Sequence, residues 1–193
     1  RSPDRDRQNA APIHGIQTWV ALPVEEEETD PWFHHYPADT LPQWTENGVA
    51  ITLIAGQSHG HTSPVKVFSP ILYLDVVFTQ AAEFRLPADY RERAIYSVTE
   101  GLQINHQALP AHRMAILTPG TTVTISSELP ARCIVIGGEP VGPRYKWWNF
   151  VSSRSERIEQ AKADWRDRRF APVLQEAEFI PLPEVVTEAN PFS

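Results

Sequence analysis

Leu72-Tyr73-Leu74-Asp75-Val76-Val77-Phe78 is the stretch on which the fold turns. It is short, rich in β-branched and aromatic residues, and apolar except for Asp75, which reads as a β-strand. Successive side chains in a strand point to opposite faces. An alternating strand can therefore aim Asp75 outward; aimed inward, its carboxylate needs a partner. Strands of the same kind lie on both sides. They are Ile16–Leu22, Gly48–Gly56, Ala94–Val98, Leu102–Ile104, Met114–Leu117, Thr121–Ile125 and Arg132–Ile136. The chain holds 18 prolines and 9 glycines, which punctuate it at short intervals. Short strands at regular spacing predict an all-β sandwich or jelly roll.

One helix is expected near the end. Ser153 and Glu156 have the spacing of a capping box. Ile158, Ala161 and Trp165 then share one face, and Glu159 with Lys162 can pair on another. Phe170 to Pro172 ends the run, because the residue before proline disfavours helix. The helix is expected over about 153–168, with a loose tail from Ala189 to Ser193.

The 193 residues suit one large domain, or one domain with a piece of another. A 41% hydrophobic share is enough for a core. The net charge of −7 excludes a whole-chain basic field for nucleic acid. No stretch approaches the about 20 apolar residues of a membrane span. The single cysteine, Cys133, sits in an apolar strand, forms no intramolecular disulfide, and fits a reducing, cytoplasmic setting. The chain opens on Arg1 and a polar run, so a truncated or processed start is expected. Glu25-Glu26-Glu27-Glu28 reads as a solvated face. Pro31, Pro37 and Pro42 stiffen a junction after it.

Few residues propose themselves for chemistry. His59-Gly60-His61 has ligand-like alternate spacing, but Gly56 and Pro64 around it predict a loop. The adjacent His34 and His35 would point to opposite strand faces. His106 and His112 flank the turn at Pro110. Glu139 is the best isolated carboxylate, with a turn role as its plain alternative. Trp147-Trp148-Asn149-Phe150 offers aromatic surface, but no basic stripe accompanies it for base stacking.

Several strings together resemble the pirin family. They are His14-Gly15-Ile16-Gln17-Thr18-Trp19-Val20-Ala21-Leu22-Pro23, Gly137-Gly138-Glu139-Pro140, Trp147-Trp148-Asn149-Phe150-Val151-Ser152-Ser153 with the helix after it, and Glu178-Phe179-Ile180-Pro181-Leu182-Pro183. The resemblance implies an all-β bicupin, each half a double-stranded β-helix (jelly roll), with one C-terminal α-helix. Residues 1–30 would be the closing strand or strands of an N-terminal cupin, 31–47 a linker, and 48–193 the C-terminal cupin domain.

The resemblance further implies one metal, Fe(II) or another divalent ion, held by three histidines and one glutamate of the N-terminal cupin. None of those four positions falls on this chain, so no metal ligand and no cofactor is assigned to it. His14 is the candidate for a supporting contact to that centre. The second cupin lacks histidines at its motif positions, Leu86–Glu92 and Leu117–Val123, and is expected to be metal-free. Trp147, Trp148, Asn149 and Phe150 are expected at the contact between the two cupins.

Three functions follow as expectations. In the full-length form the protein would be a metal-dependent quercetin 2,3-dioxygenase-like enzyme for a flavonol-like aromatic substrate. Alternatively it would be a non-catalytic, redox-linked transcription cofactor or protein-interaction module. A fragment without activity would instead self-associate through exposed apolar surface. Direct nucleic-acid and membrane binding are not expected.

Overall fold

A computed structural model describes residues 15–172 and 178–183. The chain divides into two compact units, Glu28–Val141 and a second formed by residues 1–27 with 142–193.

Glu28–Val141 is an antiparallel two-sheet sandwich. Its strands are β1 (Gln43–Glu46), β2 (Val49–Ser58), β3 (His61–Thr62), β4 (Ile71–Phe78), β5 (Ala82–Leu86), β6 (Glu92–Ser97), β7 (Leu102–Ile104), β8 (Gln107–Leu109), β9 (Met114–Ile116), β10 (Val123–Ser127) and β11 (Ala131–Gly138). One sheet runs β1-β2-β4-β11-β6-β9, with β3 on β2; the other runs β5-β10-β7-β8. No ladder joins the two sheets among the described residues, so they form a jelly-roll sandwich and not a closed barrel.

The alternation of β4 explains the core. Leu72, Leu74, Val76 and Phe78 are buried, and Ile51, Leu53, Val135 and Cys133 of the paired strands face the same way. Phe84, Leu86, Leu102 and Ile125 from the other sheet complete the cluster. Each such side chain, fully buried, contributes roughly 1.5–3 kcal/mol. Asp75 lies on the opposite face of β4, as alternation allows. Both its carboxylate oxygens accept from Arg132, at 2.7 Å from Nε and 2.7 Å from Nη2.

Residues 15–27 and the part after Gly142 hold a hairpin, β12 (Tyr145–Trp147) with β13 (Phe150–Ser152), and helix α1 (Ser155–Arg166). The Ile158 and Ala161 face is buried, and Glu159 pairs with Lys162. The helix begins one residue later than the capping box predicts. The Ser153 hydroxyl is engaged elsewhere, by Glu27, and Arg154 stands at the N-cap without a side-chain cap. Residues Ile16–Leu22, expected as a strand, form no ladder among the described residues, and Ile16, Trp19 and Val20 are exposed. Alternation supplies a face but not a partner strand.

Helix α1 groups with the residues before Glu28, and β1, inside the expected linker, is built into the larger sheet. The loose tail expected from Ala189 to Ser193 lies outside the described residues. No helix among the described residues is long and apolar enough to cross a membrane.

Candidate functional site

The most elaborate polar centre is built on Glu27, which follows a one-turn 3-10 helix at Val24–Glu26. Its carboxylate accepts from the Ser153 N–H at 2.9 and 3.1 Å, the Ser153 hydroxyl at 2.9 Å and the Ser152 hydroxyl at 3.2 Å. Arg144 Nε forms an ion pair with it at 2.7 Å, and Arg144 Nη2 donates to the Leu22 carbonyl at 2.6 Å. Burial pushes the Glu27 carboxyl up. The Ser153 and Ser152 hydrogen bonds and the Arg144 charge outweigh it and hold the group below its ordinary value. The acidic run is thus not uniformly solvated: Glu27 turns inward. A carboxylate so fully engaged is a latch between residues 22–27 and 144–153, not a free base.

Beside this latch lies an open cleft of about 890 Å³, lined among others by Gln17, Trp19, Val20, Lys146 and Asn149. Lys146 Nζ sits 5.3 Å from the Trp19 ring. The cleft therefore presents an indole face, an ammonium and carboxamides together.

Trp147 and Phe150 pair across the hairpin, and Trp148-Asn149 makes its two-residue turn. Trp148 adopts φ +49, a region costly for a bulky side chain. Ring contacts hold it there: Trp148 meets Trp165 edge-on at 5.2 Å and Phe150 at 5.7 Å. Phe170 stacks on Phe150, Phe179 stacks on Trp165, and Lys162 lies over Trp147. Within this unit the cluster seals α1 onto the hairpin. A contact of Trp147, Trp148, Asn149 and Phe150 with another cupin remains a proposal.

Among the described residues the histidines form no metal-ligand group. His59 and Gly60 form the tight β2–β3 turn, both with positive φ, which removes the shared strand face that their spacing suggested. In the neutral ring His59 Nε2 donates to the Arg85 carbonyl at 3.2 Å, and Nδ1 accepts from the Ser58 hydroxyl at 2.7 Å. His61 stacks on Trp44 at 4.6 Å, and His34 tilts on Tyr36 at 4.2 Å. His106 and His112 are exposed at turns, with φ +66 and +59. His14 lies outside the described residues. Among the described residues no group of three or more His, Cys, Asp or Glu could hold a metal ion.

Glu139 has the plain role: it accepts from the Arg91 N–H at 3.1 Å and fixes the chain at the end of β11. Cys133 is buried, and burial with the nearby Asp75 charge pushes its thiol up to about 12. Such a thiol is not a nucleophile at neutral pH.

Two features escaped the sequence. Glu27 and Arg144 are far apart in the chain, and nothing local marks them as partners. Arg93 is the other, a guanidinium in the core of the sandwich at 2% exposure. Its signal was available, since Arg93 alternates with Ile95 and Ser97 on the buried face of β6.

The cupin architecture and the strings at Gly137–Pro140 and Trp147–Ser153 coincide with a family match. The pirin C-terminal cupin domain matches residues 73–171. The chain belongs to the pirin family. A pirin-like protein of Caulobacter vibrioides is 44% identical over 181 residues, covering 92% of this chain and 62% of the relative. A candidate quercetin 2,3-dioxygenase of Pseudomonas aeruginosa is 33% identical over 162 residues, 81% of this chain and 51% of that protein. The crystal structure of a quercetin 2,3-dioxygenase from Acinetobacter baumannii superposes with a TM-score of 0.80 at 28% identity, covering 89% of this chain and 59% of that one. This pirin chain thus spans between half and two thirds of the length of these relatives.

Proposed function

We propose that this chain is the C-terminal cupin part of a pirin-type, metal-dependent dioxygenase acting on a flavonol-like aromatic substrate. The observation that supports the reading most is the likeness to the Acinetobacter baumannii quercetin 2,3-dioxygenase over 89% of this chain. The candidate quercetin 2,3-dioxygenase of Pseudomonas aeruginosa supports it further.

The described residues of this chain do not fit a metal. The nitrogens of His59 are taken by Ser58 and Arg85, and no group of three or more His, Cys, Asp or Glu forms among the described residues. On this reading the metal and its oxygen chemistry belong to the part of a pirin that this chain does not span. The Ile16–Leu22 segment, with exposed Ile16, Trp19 and Val20 and no ladder partner here, is read as a closing strand of that other cupin. Residues 1–30, 31–47 and 48–193 remain the proposed division. The Glu27–Arg144 latch joins residues 22–27 to 144–153 beside the cleft.

The test is oxygen uptake with quercetin by a full-length pirin carrying this sequence, with metal content measured on the same sample. Metal-loaded protein that consumes oxygen with quercetin supports the proposal. Full-length protein that binds no metal and leaves quercetin untouched refutes it.

A further inference from the structure

The β12–β13 hairpin presents two different faces. Trp147 and Phe150, a cross-strand pair, stack at 6.2 Å, and Phe150 meets Trp165 of α1 at 6.3 Å. Lys146 and Val151, the next cross-strand pair, alternate with them and line the cleft beside the Glu27–Arg144 latch. The rings on the α1 side thus anchor the hairpin that carries Lys146. Trp19 and Val20 line the cleft from the segment before the latch, and both are about half exposed. Lys146 Nζ lies 5.3 Å from the Trp19 ring, within reach of cation–π attraction, which keeps the ammonium beside the indole.

Charge and shape together select a class of ligand. Among the described residues, the charged side chains lining the cleft are Glu27, Arg144 and Lys146. Glu27 and Arg144 offset each other in their 2.7 Å ion pair, so Lys146 sets the sign of the cleft, in a chain whose net charge is −7. A lone ammonium suits a monoanion, whereas a phosphate dianion calls for several cations or a nest of N–H donors. The exposed indole and the Val20 and Val151 side chains favour a flat aromatic ring. The Gln17 and Asn149 carboxamides offer donors and acceptors to polar groups on such a ring. A volume of about 890 Å³ is ample for a small molecule.

We propose that this cleft binds a small aromatic monocarboxylate, with its ring on the Trp19 indole and its carboxylate on the Lys146 ammonium. This goes beyond the dioxygenase reading, since the site lies within this chain and uses no metal.

The test is a titration of the whole chain with naphthoate, followed by proton–nitrogen correlation spectra of the indole N–H groups. Trp19→Leu assigns the Trp19 resonance by its loss. Naphthamide, which keeps the ring without the charge, and cyclohexanecarboxylate, which keeps the charge without the ring, are the controls. The expected result is a saturable movement of the Trp19 resonance with naphthoate, and much weaker binding of both controls. Lys146→Met should weaken naphthoate about tenfold or more, and the titration should repeat on a full-length pirin carrying this sequence. A Trp19 resonance that naphthoate leaves in place, or that naphthamide moves equally, overturns the proposal. So does unchanged affinity in Lys146→Met, or loss of binding in the full-length protein. The comparison of naphthoate with naphthamide is read on wild type, so a variant that fails to fold would not spare the proposal.

Discussion

Arg144 Nε lies 2.7 Å from Glu27 Oε1, with both side chains less than a tenth exposed. An ion pair this deep, backed by Ser152 and Ser153, differs in kind from a surface pair. Removing one partner leaves the other charge buried. Arg144→Met is therefore expected to destabilise the chain by about 3–5 kcal/mol, read as a shift in the urea midpoint. The Asp75–Arg132 pair, in which Arg132 is 42% exposed and Asp75 17%, sets the scale: Asp75→Asn should cost about 1 kcal/mol or less. Equal losses from the two variants would contradict this assignment.

The same latch predicts a pH dependence. The folded-state carboxyl of Glu27 lies below its ordinary value of about 4.5. A depressed carboxyl contributes stability that is fully present above the unfolded value and is lost as pH falls through the folded one. Wild-type stability should thus decline below about pH 4.5 more steeply than that of Glu27→Gln, measured by urea unfolding from pH 6 downward. Parallel curves for the two proteins would exclude Glu27 as the source.

Gly56 tests the backbone at the bend of β2. It has φ +84, and an added Cβ would lie 1.7 Å from the Ile71 carbonyl oxygen. No flexible side chain can yield there. Gly56→Ala should lose roughly 1–3 kcal/mol from overpacking alone, with more from the left-handed backbone, seen as a lowered melting midpoint. Gly60 has φ +77 but open space around it, so Gly60→Ala should lose only the backbone part.

Cys133 should be silent in the native state. With a thiol pushed up to about 12 inside the core, it should react with an aromatic disulfide reagent only as fast as the sandwich opens. Rapid labelling of folded protein at pH 8 would show that the β4–β11 core is not closed around it.

The fold was legible where one face alone was buried. Leu72–Phe78 and Arg132–Ile136 carry period-2 or continuous apolar patterns, and the structure pairs them in register. Ala82–Leu86 was missed because Glu83 and Arg85 interrupt a strand whose inward residues, Phe84 and Leu86, are too few to mark it. The Tyr145–Ser152 hairpin was missed because its turn is Trp148-Asn149, without glycine, and stands on ring packing instead of turn chemistry. The capping box failed for a long-range reason, since Glu27 takes the Ser153 hydroxyl. The family was readable from short strings, whereas the Glu27–Arg144 latch and the buried Arg93 depend on contacts distant in sequence.

The pirin chain carries the cupin scaffold, and we propose that the metal centre belongs to the part of a pirin that it does not span. Metal analysis of the purified chain, after incubation with Fe(II) and desalting, tests it most directly. The account predicts metal far below one equivalent per chain, alongside a full-length pirin of the same sequence that retains about one. A chain that by itself holds one equivalent of iron would contradict it.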